Sequence, residues 1–81
     1  MIAEIIWPDP VWEQLVELPE RDMWAILGHT RLLARFPRMH PVRERGRFRR
    51  CRWFLAGNWI VYYRFVDDKV HIRAIWPARV P

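Results

Sequence analysis

Cysteine, lysine and glycine are scarce in this chain. Cys51 is the only cysteine, Lys69 is the only lysine, and there are three glycines. One cysteine closes no internal disulfide and builds no thiolate zinc site, so a reducing cytoplasm is the simplest expectation. Glycine-rich phosphate loops, paired carboxylates and serine triads are all missing. That excludes most familiar enzyme constellations and leaves binding, or acid–base chemistry supported by arginine. No stretch approaches the roughly 18 apolar residues of a membrane helix. The first residues carry Glu4 and no basic lead, unlike a secretory signal. His29, His40 and His71 fall at no metal-ligand spacing, and no carboxylates cluster beside them, so neither a metal nor a cofactor is expected.

What is present points to one small, aromatic-rich domain spanning residues 1–81. A chain of this length buries roughly 60–65% of its unfolded surface, so the core must be made from few residues. Hydrophobic residues are 52% of the chain and six are tryptophan, each able to bury a large area. The formal charge is +5, and all the basic residues except Lys69 are arginine. Arginine offers a planar fork of donors that matches phosphate and carboxylate, so an anionic partner is the first expectation.

Periodicity divides the chain. Residues 2–7 are β-branched and aromatic and stop at Pro8, which predicts a short strand. Asp9-Pro10 predicts a helix start, with Asp9 as cap, and Val11, Leu15 and Leu18 follow at helical spacing. Pro19 predicts a second start. Met23, Ile26, Leu27, Thr30, Leu33 and Ala34 form its stripe, and Pro37 ends it. Residues 37–46 read as a basic loop. Three strand runs then follow: Phe48 to Leu55, Trp59 to Val66 and Val70 to Trp76, joined by tight turns into an antiparallel meander.

Alternation assigns faces. Trp59, Val61, Tyr63 and Phe65 share a side with Val70, Ile72, Ala74 and Trp76, and with Cys51, Trp53 and Leu55. This apolar face is expected to bury the helical hairpin, with Cys51 as an inert buried thiol. The other face then carries Arg50, Arg52, Ile60, Tyr62, Arg64, His71 and Arg73, with no acid among them. Like charges so close repel one another, which points to an anion-binding surface. The segment Arg43 to Arg52 adds Arg43, Arg45, Arg47 and Arg49 to that surface, with Glu44 as its only acid. Trp76, beside Pro77 at the end of the last strand, is a further binding candidate.

Two segments carry a family resemblance. LPERDMWAILGHTRLLARFPRM (residues 18–39) is similar to the second helix of the RelE/ParE toxin superfamily of bacterial toxin–antitoxin modules. There a Leu-Pro start leads to a leucine pair, a Phe-Pro and an arginine. NWIVYYRFVDDKVHIRAIWPAR (residues 58–79) resembles the family's closing hairpin, with an aromatic lead, a Tyr-Arg ending, an acidic turn and a basic finish. The resemblance covers nearly the whole chain. It implies an α+β domain in which an N-terminal strand and a helical hairpin pack on one face of a twisted antiparallel sheet. It also implies a growth-inhibiting protein of the bacterial cytoplasm whose partner is a cognate antitoxin with an acidic tail.

The resemblance implies two mechanisms. RelE-like members cut mRNA in the ribosome and use basic residues on the strand before the hairpin, an arginine after the aromatic that opens the next strand, and groups near the C-terminus. Arg50 and Arg52 fit the first set and Arg79 fits the last approximately, and either His71 or Tyr62 would have to substitute for the missing groups. Ile60 stands where the central arginine is expected. ParE-like members bind DNA gyrase without catalysis, and their closing strand resembles residues 73–79, with Trp76 and Pro77 in place of His-Gly. The Ile60 departure favours the ParE-like expectation. The alternatives are the ribosome-dependent mRNA interferase and a basic RNA-binding module without toxicity.

Overall fold

A computed structural model describes residues 2–78. Strand β1 (Glu4–Ile6) ends before Pro8. Helix α1 (Asp9–Glu17) follows, with Pro8 as its cap residue. The expected Asp9 cap does not form. Asp9 lies inside the first turn, and the Pro8 carbonyl accepts from the Val11 and Trp12 amides at 3.0 and 2.9 Å instead. Two prolines fix the entering backbone, so no side-chain cap is needed to start the turn. Helix α2 (Glu20–Arg35) starts after Pro19, with Glu20 and Asp22 at its positive end and Arg35 at its negative end. Its buried stripe is Ile26, Thr30, Leu33 and Ala34. Thr30 is tolerated there because its hydroxyl donates to the Leu27 carbonyl at 2.7 Å.

Strands β2 (Arg52–Ala56), β3 (Trp59–Val66) and β4 (Lys69–Pro77) form the meander. The sheet order is β1-β4-β3-β2, and β1 runs parallel to β4. The sheet is therefore mixed rather than wholly antiparallel, and β1 joins it as an edge strand. Asp67 and Asp68 both take left-handed backbone, φ 53° and 62°, as a two-residue type I′ hairpin turn requires. Gly57, at φ 59°, opens the other tight turn. Its α-carbon faces Asp22 closely enough that a Cβ would sit 3.1 Å from the carboxylate. That carboxylate accepts from the Trp59 indole at 3.0 Å, which pins the start of β3 to α2.

Both helices share one core with the sheet. Leu15, Ile26, Leu33, Val61, Tyr63, Val70 and Ile72 are wholly buried, and Phe54 and Ile75 almost so. The Tyr63 ring lies near Phe54 and His40, and its hydroxyl donates to the Pro37 carbonyl at 2.9 Å. Burial pushes its phenol above the usual range, despite nearby Arg52. Beyond β1, no strand among the described residues pairs with the outer edge of β4, and Gln14 Nε2 donates to the Ile75 carbonyl there at 2.7 Å. Among the described residues no helix is long and apolar enough to cross a membrane.

Three features overturn the expected faces. The first strand begins at Arg52, not Phe48, because residues 47–50 form a turn in which Arg50 has φ 74°. Strand β2 also has the opposite phase. Phe54 and Ala56 enter the core, opposite Val61 and Trp59, so Trp53 and Leu55 face outward. The third is a bulge. Tyr62 pairs with Ala74 and Tyr63 with Ile72, which leaves Arg73 without a partner residue. The bulge turns Ile75 into the core and moves Ala74 and Trp76 to the open face.

Candidate functional site

The open face of the sheet is built in rows by strand pairing. Leu55, Ile60 and Trp76 form one row, Trp53, Tyr62 and Ala74 the next, and Arg64 with His71 a third. The surface therefore grades from apolar to basic along the strands, and is more aromatic than alternation predicts. Leu55 is 57% exposed and Trp76 43%.

The arginine loop folds over the middle row. Phe48, expected inside a strand, stacks on Tyr62 with centroids 4.0 Å apart and meets Trp76 edge-on at 5.6 Å. Tyr62 is buried beneath it. The Arg43 guanidinium lies 5.8 Å from the Tyr62 ring and reaches the Tyr62 hydroxyl at 3.5 Å. The Arg47 guanidinium lies over Trp76 at 5.3 Å and over Phe48 at 5.9 Å. Each such cation–π contact contributes about 0.5–1 kcal/mol at an exposed site. Arg43 and Arg47 thus lie against Tyr62, Phe48 and Trp76, and Phe48 is the residue that alternation missed.

Among the described residues, the expected nuclease residues Arg50, Arg52 and His71 do not share the open face of the strands. Arg52 shares the helix side of the sheet with Tyr63, its pairing partner. Its Nη1 donates to the His40 carbonyl at 2.7 Å and to the Arg38 carbonyl at 3.3 Å. Arg52 is a backbone clamp rather than an open-face cation. Arg50 sits in the loop, exposed, and not on a strand. His71 lies half-buried on β4, opposite Arg64 on one side and Ile6 on the other. Arg79 falls outside the described residues. Arg64 and Arg73 are exposed, as are Arg45, Arg47 and Arg49 in the loop.

Cys51 is buried, as expected, but outside the main core cluster, and it feels the charges of Arg73 and Arg64. Burial pushes its thiol up, and the two arginines pull the other way without reversing the shift. It is an inert thiol at neutral pH.

One cluster left no trace in the sequence. His29 on α2 and His40 in the following loop bring their Nε2 atoms to 2.7 Å, and both rings stack on Phe54 at 4.2 and 5.5 Å. Burial lowers the pKa of each, and the charge of His29 lowers that of His40 further. A contact this short needs one ring to donate and the other to accept, which the lowered pKa values favour at neutral pH. Among the described residues no group of three or more His, Cys, Asp or Glu side chains converges to hold a metal.

No protein family, curated protein or solved structure matches the chain. Its chemistry must be argued from its own surface.

Proposed function

We propose that this chain is the toxin of a toxin–antitoxin pair, similar to the RelE/ParE superfamily, and that it acts by binding rather than by cutting RNA. The ParE-like target, DNA gyrase, is the reading favoured here. The observation that carries it is the position of Arg52. The hypothetical nuclease set needs Arg50 and Arg52 together on the open face, and Arg52 is tied to two backbone carbonyls on the helix side. Ile60 stands where the family nuclease has an arginine, and faces outward in a row with Leu55 and Trp76. That row supplies apolar contact area, and the flanking Arg47 and Arg64 supply charge, as a protein-docking surface needs. The element order and the helices on one face of a short sheet also fit the proposed family. The antitoxin, with its acidic tail, is the proposed neutralising partner, drawn by the net positive charge.

The test is supercoiling of relaxed plasmid by purified gyrase, with and without the purified chain. Inhibition that weakens at least tenfold in Trp76→Ala with Leu55→Ser is the expected result. Unimpaired supercoiling, together with cleavage of a translated message at ribosomal A-site codons, would replace this reading by the interferase. Harmless expression without any partner gene would leave only the non-toxic binding module.

A further inference from the structure

The loop from Arg43 to Cys51 is clasped shut at its base. The Arg43 amide donates to the Cys51 carbonyl at 2.7 Å, and the Arg50 amide returns to the Arg43 carbonyl at 2.8 Å. Inside the clasp, the Arg49 amide donates to Gly46 and the Cys51 amide to Phe48. Phe48 then anchors the loop to the sheet through Tyr62. The loop borders an open concavity of about 510 Å³ lined by Glu44, Arg45, Gly46, Arg47, Arg49 and Arg50. That volume is within the ~300–1,000 Å³ of ordinary small-ligand clefts.

Four arginines and one glutamate line this space. The backbone clasp together with the Phe48 anchor fixes the loop that carries them, and Arg47 leans its guanidinium onto Trp76 and Phe48. Gly46 and Arg50 both adopt left-handed backbone, φ 87° and 74°. For Arg50 this conformation is unfavourable, so the loop is built rather than slack. An anion that enters meets arginines carried on a backbone already fixed, and relieves their mutual repulsion.

We propose that this loop is a preformed cradle for a run of adjacent phosphates. Arginine forks match carboxylates too, but a phosphate carries more charge and more acceptor oxygens than a carboxylate, so several arginines lining one space suit it better. The phosphates come either from a free polyphosphate or nucleotide, or from a nucleic-acid backbone that continues onto exposed Trp76. The cradle does not depend on which protein the open face meets.

The experiment is calorimetric titration of the full chain at physiological salt with three probes: sodium tripolyphosphate, a single-stranded hexanucleotide and hexaglutamate. One-to-one saturable binding of a phosphate probe is expected. It should weaken at least tenfold in Arg45→Ala with Arg49→Ala. It should stay within twofold in Arg21→Ala with Arg31→Ala, a pair of equal charge on the exposed side of α2. If the loop variant loses its helical and strand signal, Arg49→Gln alone repeats the comparison. Tighter binding of tripolyphosphate assigns the site to free phosphates. Tighter binding of the oligonucleotide, with a logarithmic salt slope near −0.7 per phosphate, assigns it to a backbone. The proposal fails if neither phosphate probe saturates, if hexaglutamate binds as tightly, or if the helix variant weakens binding as much as the loop variant.

Discussion

Replacing Arg52 with methionine separates a structural arginine from a chemical one. Methionine keeps much of the aliphatic stem beside Tyr63 and removes the guanidinium. The 2.7 Å bond to the His40 carbonyl is charge-assisted and part-buried, and such bonds contribute about 1.5–3 kcal/mol. The bond to the Arg38 carbonyl, at 3.3 Å and exposed, is at the geometric limit and adds little. The expected loss is therefore about 2 kcal/mol, against a total stability of about 5–10 kcal/mol for a small domain. For a chain of this size each kcal/mol lowers the melting temperature by about 4–8 °C, so Tm should fall by about 10 °C. Circular dichroism and tryptophan fluorescence read the transition, with urea melts to give the free energy. Arg64→Met is the control, because Arg64 is exposed on the open face and its loss should stay within about 0.5 kcal/mol. At a temperature where it is folded, Arg52→Met should retain its biological effect. A variant that melts within about 2 °C of the wild type yet loses all effect would refute the clamp and return Arg52 to the chemistry.

Three further outcomes follow from the packing. The His29–His40 pair has folded pKa values below the unfolded value of about 6.5, so the unfolded chain takes up more protons as pH falls. Its contribution is complete above that value and is lost as pH drops through it towards the folded values. Urea midpoints should fall between pH 7 and 5, and His40→Phe should flatten that dependence; an equal slope in the variant would count against the pair. Phe54→Ala removes a wholly packed ring under both histidines and should cost about 3–5 kcal/mol, leaving little folded protein at 37 °C by circular dichroism. Asp68→Gly removes a non-glycine residue from left-handed backbone at φ 62° and should stabilise the chain by about 0.5 kcal/mol, seen as a Tm higher by a few degrees.

The helices were legible because their signals are local. Proline before each start and a repeating stripe in α2 specify boundaries and buried face together. The faces of two strands were not legible, for different reasons. In β2, Trp53 and Phe54 are adjacent aromatics, and alternation cannot say which is inside. The answer depends on Phe54 meeting His29 and His40, which are distant in sequence. In β4 a signal was present. Ile72 and Ile75 are the large aliphatics of Ile-Arg-Ala-Ile, and a spacing of three breaks a two-residue period, which is what a bulge does. The arginine loop was legible as charge but not as shape, since its clasp is made of backbone bonds that any residue can form. The parallel pairing of β1 with β4 left no mark in either segment.

That pairing has a consequence for how the protein is made. Glu4 lies opposite Lys69 and Ile6 opposite His71, so β1 waits for β4 to be made. While translation proceeds, α1 and α2 can form, but Leu15, Ile26 and Leu33 have no sheet to cover them. Such a connection is costly to close and slow to find, and transiently bare apolar surface invites association. The order of synthesis therefore sets a vulnerable interval that lasts until β4 is free of the ribosome. A chaperone or a nascent binding partner would act with most effect in that interval.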